Sequence, residues 1–233
     1  MENKETILQG HSDLEKGAYL GAIASIATAD REASEEEIGY ISQLCDSANL
    51  SEQQKQSVIR AATELSGEEL TRCLDVLKNS ELKYSLITDL MAFAKSDENY
   101  SEEEKQNVHK IAQYLGVGEK QFSLLDQFAE KATVSDVPVE ESSQPDFLSS
   151  LGLKDKMQNA GINPQSLFKG LLSIAGPMLL SGMLSGGLNR RRSGGGGGIL
   201  SGGGLGSLIG MLSGGRGFGN TGGLLGRILG RGY

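Results

Sequence analysis

The sequence predicts an all-α domain followed by a glycine-rich tail, and three observations carry that reading. Between Leu14 and Ala132 the apolar residues recur at three- and four-residue spacing, with scarcely any strand-like alternation. Ser-x-x-Glu or Ser-x-x-Gln signals at Ser34/Glu37, Ser51/Gln54, Ser66/Glu69 and Ser101/Glu104 mark helix starts: the serine hydroxyl accepts from an orphan N–H, and the acid or amide returns a bond. Charge and glycine then change abruptly, since residues 1–150 carry net −16 and 7 glycines whereas residues 151–233 carry net +8 and 26 glycines.

In chain order, Leu14, Ala18, Ala22 and Ile26 make the first stripe, and Ile38, Ile41, Leu44, Cys45 and Ala48 the second. Val58, Ile59, Ala62 and Leu65 form the third, Leu70, Cys73, Leu74 and Leu77 the fourth, and Leu82, Leu86, Leu90 and Ala94 the fifth. Val108, Ile111, Ala112 and Leu115, then Phe122, Leu125, Phe128 and Ala129, complete seven amphipathic helices within a domain expected at 13–132. Gly116 and Gly118 suit a helix end and the turn after it. Residues 133–146, with two prolines and small polar or acidic side chains, read as a linker. Short helices are expected within 147–176, from Phe147 to Asn159 and from Pro164 to Ala175. The remainder, 177–233, is a Gly/Leu/Ser-rich basic segment in which Met183-Leu184-Ser185-Gly186-Gly187 recurs as Ile199-Leu200-Ser201-Gly202-Gly203 and Met211-Leu212-Ser213-Gly214-Gly215. Glycine at that density costs too much backbone entropy for a packed domain.

Several chemistries are excluded. Two cysteines make no disulfide framework, and Cys45 and Cys73 lie on apolar stripes as small core residues. The polar, acidic N-terminus lacks a secretory pattern, so a cytoplasmic location is expected. His11 and His109 are the only histidines and have no nucleophile beside them in sequence; no Walker pattern occurs in the glycine runs, and no enzyme is expected. Residues 170–189 lack charge and precede Arg190-Arg191-Arg192, which suits a marginal membrane span, while the arginines and apolar pairs across 170–231 suit an anionic membrane surface. Nucleic acid is disfavoured by the near absence of aromatic side chains among those arginines.

One internal echo stands out. Residues 29–37, ADREASEEE, repeat as residues 96–104, SDENYSEEE, with Asp, Ser and three Glu in common. Glutamates in a first helical turn are favoured by the helix dipole, by about 0.3–1 kcal/mol each. Asp30 and Asp97 instead stand at the carboxyl end of the preceding helix and face further acids, an arrangement that a cation or basic partner would compensate. Hard oxygen donors suit Ca²⁺ or Mg²⁺, bound weakly. Neither copy is an EF-hand, since the sixth position holds Glu35 or Glu102 and the twelfth Ile41 or Val108.

An all-helical domain with Ala-Asp-x-x-x-Ser-x-Glu-Glu opening one helix, and a second copy near its end, resembles the tellurite-resistance TerB-like domain of bacteria over about Leu14 to Ala132. The resemblance implies a compact seven-helix bundle without established catalysis, working in metal-related stress complexes at the inner membrane. By position it nominates Asp30, Glu36, Glu37, Asp97, Glu103 and Glu104 for a divalent cation or a partner. The family usually has Gly after the Asp; Arg31 and Glu98 stand there instead, so the first loop carries its own counter-charge.

The expectation is therefore a non-enzymatic TerB-like adaptor, peripheral to the inner membrane, with protein partners in a membrane-associated complex. Its rival is a structural assembly protein, a homo-oligomer whose Gly/Leu tail self-associates and whose acidic head is a solubilising cap. A third reading is an enzyme whose chemistry is supplied by a metal at the acidic loops.

Overall fold

A computed structural model of the chain describes residues 7–27, 35–63, 68–96, 102–134 and 145–172. Among these residues all regular elements are helical: α1 (Asp13–Ala27), α2 (Glu35–Ser47), α3 (Glu52–Thr63), α4 (Glu68–Leu77), α5 (Leu82–Ser96), α6 (Glu102–Tyr114), α7 (Glu119–Val134), α8 (Pro145–Ser150), α9 (Lys154–Asn159) and α10 (Pro164–Gly170). The first seven are the helices expected from periodicity.

The stripes are buried as their spacing requires. Leu70, Leu74, Leu77, Leu82, Leu86, Leu90, Ile111, Leu125 and Phe128 are fully excluded from solvent in one continuous core. Leu14 is the exception: expected to open the first stripe, it is 57% exposed. From Gly17 to Ile26 every residue of α1 is buried, so this stretch runs through the middle of the bundle with no solvent face. Its small residues make that passage. A Cβ at Gly17 would stand 2.7 Å from Gln54 Oε1, and one at Gly21 would stand 2.8 Å from Cys73 Sγ. α3 and α4 accordingly close on α1 from two sides.

Long-range hydrogen bonds and close approaches fix the helix directions. Ile7 N–H donates to Ser47 O at 3.3 Å and Lys16 Nζ to Ala48 O at 3.1 Å, which sets the start of α1 beside the end of α2. Gly17 faces Gln54 and Gly21 faces Ala61, so α3 runs parallel to α1. Ser80 donates to Glu15 and Tyr19 to Asp89, which makes α5 parallel to α1. Gln121 reaches Tyr84 at 2.9 Å and Lys95 pairs with Asp126 at 2.7 Å, which makes α7 parallel to α5. The carboxyl ends of α1, α3, α5 and α7 therefore share one end of the bundle.

Local chemistry explains the ends. At α1, Ser12 and Glu15 form a reciprocal capping box: Ser12 N–H donates to Glu15 Oε2 at 2.9 Å and Glu15 N–H to Ser12 Oγ at 3.3 Å. At α3, Gln54 N–H donates to Ser51 Oγ at 3.3 Å as expected; the expected caps Ser34, Ser66 and Ser101 lie outside the described residues. Gly116, at φ +71°, ends α6 in a Schellman pair, with Gly116 N–H on Gln113 O at 3.0 Å and Val117 N–H on Ala112 O at 2.9 Å.

The expected helix from Phe147 to Asn159 is two helices. Gly152, at φ +67°, closes α8 with a second Schellman pair, Gly152 N–H on Ser149 O and Leu153 N–H on Leu148 O, and α9 starts afresh. α10 begins as expected at Pro164, with Asn163 Oδ1 accepting from Gln165 N–H at 3.0 Å, but stops at Gly170, because Leu171 turns extended and carries Leu172 into the core. Phe147, Leu148, Met157, Leu167, Phe168, Leu171 and Leu172 are buried in the same core as the seven-helix bundle, so that core continues beyond residue 132. Of the linker expected at 133–146, residues 133–134 belong to α7 and 145–146 to α8; residues 135–144, and the whole tail expected at 177–233, lie outside the described residues.

Glu15 couples this architecture to pH. Its carboxylate accepts from Ser80 Oγ at 2.5 Å and from Ser12 Oγ at 2.7 Å, and these bonds hold its pKa down at about 2. A folded-state pKa below the unfolded value contributes stability that is present above about pH 4.3 and disappears as pH falls toward 2. For a partly exposed group the contribution at pH 7 is about 1 kcal/mol after solvent screening. Glu15→Gln is expected to lower the urea midpoint at pH 7 and to match the parent protein near the folded-state pKa; an equal deficit at both pH values would remove the carboxylate's role.

Candidate functional site

The six acids nominated by sequence belong to the two places where the chain leaves α1 and α5. Asp30 and Asp97 lie outside the described residues, as do the loops 28–34 and 97–101. Glu36 and Glu37 stand in the first turn of α2, and Glu103 and Glu104 in the first turn of α6. Because α1 and α5 are parallel, Ala27 and Ser96 end on the same side of the molecule, and both acidic loops depart from there.

Helical spacing separates the glutamates within each run. Glu37 stands one turn before Ile41, and Glu104 one turn before Val108, both of them buried residues of the apolar stripes of α2 and α6. Glu35 and Glu102, the first of each run, are exposed. Beside Val108, Asn107 is 1% exposed, and its amide nitrogen has no hydrogen-bond partner among the described residues. Among the described residues no group of three or more His, Cys, Asp or Glu is placed to hold a metal.

The other nominated groups are structural. Cys45 is buried, which pushes its thiol up to about 12, far from the thiolate a nucleophile needs; Cys73 packs beside Gly21. His109 pairs with Glu119 Oε1 at 2.8 Å and stacks edge-on against Phe122 at 4.7 Å between ring centroids. His11, between Glu15, Glu81, Lys169 and Lys16, has its pKa lowered mainly by desolvation.

Sequence reasoning missed a buried polar junction in the middle of α5. Asp89 is fully buried; its Oδ2 accepts from the Tyr19 hydroxyl of α1 and from Leu172 N–H at 3.0 Å. Burial and the adjacent carboxylate raise the Tyr19 pKa well above its ordinary value, so the phenol stays protonated and donates. The signal was present: Asp89 is three residues after Leu86 and seven after Leu82, on the apolar face, where an acid needs a buried donor.

Among the described residues no helix is long and apolar enough to cross a membrane; the marginal span expected at 170–189 falls almost wholly outside them. Residues 17–127 match the model of the family described as tellurite resistance protein TerB, which is generally non-catalytic. No curated protein and no solved structure matches the chain. The matched segment runs from the buried start of α1 through most of α7, in the order and helical class that the sequence predicted, so this part of the chain is a TerB-like domain.

Proposed function

We propose that this protein is a non-enzymatic TerB-like adaptor of a metal- or stress-related bacterial complex, whose acidic pole takes a divalent cation. The observation that supports it is the departure of both acidic loops from one end of the bundle, each followed by a helix whose third glutamate stands one turn before a buried residue. The donor set consists of carboxylates, which suits Ca²⁺ or Mg²⁺ over softer metals. Asp97, Glu103 and Glu104 would hold the ion more readily than Asp30, Glu36 and Glu37, because Arg31 competes in the first loop. The bound ion would supply charge neutralisation and a fixed loop geometry for a partner protein; it has no reaction to perform. The tail, net +8 over 151–233, would bring this head to an anionic membrane surface.

Calcium or magnesium at about ten times a millimolar Kd is expected to stabilise the full chain by about 1.4 kcal/mol. Asp97→Asn with Glu104→Gln should abolish the gain, and flotation with anionic vesicles should succeed in low salt and weaken in high salt. A thermal midpoint that ignores both ions would end the cation reading.

The second reading, a self-assembling protein with a solubilising head, is favoured by the threefold Leu-Ser-Gly-Gly phrase of the tail. It requires oligomers that vanish when residues 173–233 are removed and that ignore both cations and lipid.

A further inference from the structure

Residues 145–172 lie beyond the segment that matches the TerB family, yet they close the bundle along α5 and α7. We propose that they form a releasable strap: a unit that docks on α5 and α7, detaches without unfolding α1–α7, and joins the tail to the bundle through a contact that opens. The strap is independent of what the acidic loops or the tail bind.

Its helices have 6, 6 and 7 residues, too short to persist alone in water, so their order depends on the surface beneath them. That surface holds the strap by its backbone. Ser85 Oγ donates to Leu167 O at 2.9 Å, Gln121 Nε2 to Ala160 O at 2.8 Å and Lys131 Nζ to Leu151 O at 2.9 Å, while Leu172 N–H donates to Asp89. The three carbonyls belong to helix ends, where intrahelical partners run out, so the bundle's side chains complete the strap's helices. Opening returns these groups, and the Asp89 carboxylate, to water, and strands no charge of the strap in the core.

The apolar contribution is also limited. Phe147, Leu148, Leu153, Met157, Ile162, Leu167, Phe168, Leu171 and Leu172 are buried, but ordering the segment's backbone and side chains opposes that gain with a term of similar size. Docking is therefore a small difference between large quantities, whereas α1 is enclosed by α3 and α4 and opens only with the whole bundle. Gly170 fixes the seat: a Cβ there would stand 2.2 Å from Ser85 Oγ and 2.8 Å from Leu82 Cδ2.

Native-state hydrogen exchange of the full chain tests this. Peptides covering 147–157 and 162–172 should exchange together, roughly tenfold or more faster than peptides of α1 and of the buried half of α5. Ser85→Ala should speed exchange of the strap by about three- to tenfold and Gly170→Ala by more, with peptides over Tyr19–Ile26 unchanged. Strap peptides that exchange only in the global opening, or variants that speed α1 and strap alike, would overturn the proposal.

Discussion

Phe128→Ala is expected to lower the unfolding free energy by about 3–5 kcal/mol. Phe128 is fully buried in α7, and its ring lies edge-on to Phe147 of α8 at 6.4 Å and to Phe168 of α10 at 5.8 Å between centroids. Truncation removes the apolar burial of one large side chain, leaves a cavity whose walls come from three helices, and breaks two aromatic pairs of about 0.5–1.5 kcal/mol each. The cavity cannot collapse easily, because α7 is also fixed by Lys95–Asp126 and Gln121–Tyr84. Phe128→Leu keeps most of the volume and should lose less than half as much. Equilibrium urea unfolding of the full chain checks both; a loss below about 1 kcal/mol for the alanine variant would mean that the α7–strap junction is not packed as described.

The bundle was legible because amphipathic helices write their buried face at a period the eye can count. Every apolar residue quoted from the stripe at 70–77 through that at 122–129 whose side chain is described is buried or packs on the core. The central helix was misread for the same reason: a helix buried all round has no polar face to set against the apolar one, and Leu14, apolar in sequence, falls on the first turn outside the bundle. The capping box at Ser12 and Glu15 was readable in the same Ser-x-x-Glu form as the others but preceded a stripe drawn from the wrong residue. Gly152 and Gly170 carry the signals for the broken strap, yet which surface the strap covers depends on contacts that span 20 residues, as from Lys131 to Leu151, up to 82, as from Ser85 to Leu167, and no local pattern encodes those. At the acidic pole, sequence supplied the repeat; the parallel directions of α1 and α5, which set both copies at one end, needed the Glu15–Ser80 and Tyr19–Asp89 contacts.

The Tyr19–Asp89–Leu172 junction should show the next largest effect, with a pattern that distinguishes a hydrogen-bonded buried carboxylate from simple packing. Tyr19→Phe removes one donor to an acid that cannot reach water, at a cost of about 1.5–3 kcal/mol. Asp89→Leu restores apolar volume and relieves the desolvation of a buried charge, but it leaves the Tyr19 hydroxyl and Leu172 N–H without their acceptor, at about 1–3 kcal/mol each. The net loss for Asp89→Leu is therefore expected at about 2–4 kcal/mol. Combining the two substitutions removes the orphaned hydroxyl together with its acceptor, so the double variant should lose less than the sum of the single losses, with a coupling of about 1–3 kcal/mol. Asp89→Asn, which retains an oxygen for one donor, should fall between the parent and Asp89→Leu. Additive losses across the cycle would show that Tyr19 and Asp89 contribute separately, and that α1, α5 and the root of the tail are not tied through one carboxylate.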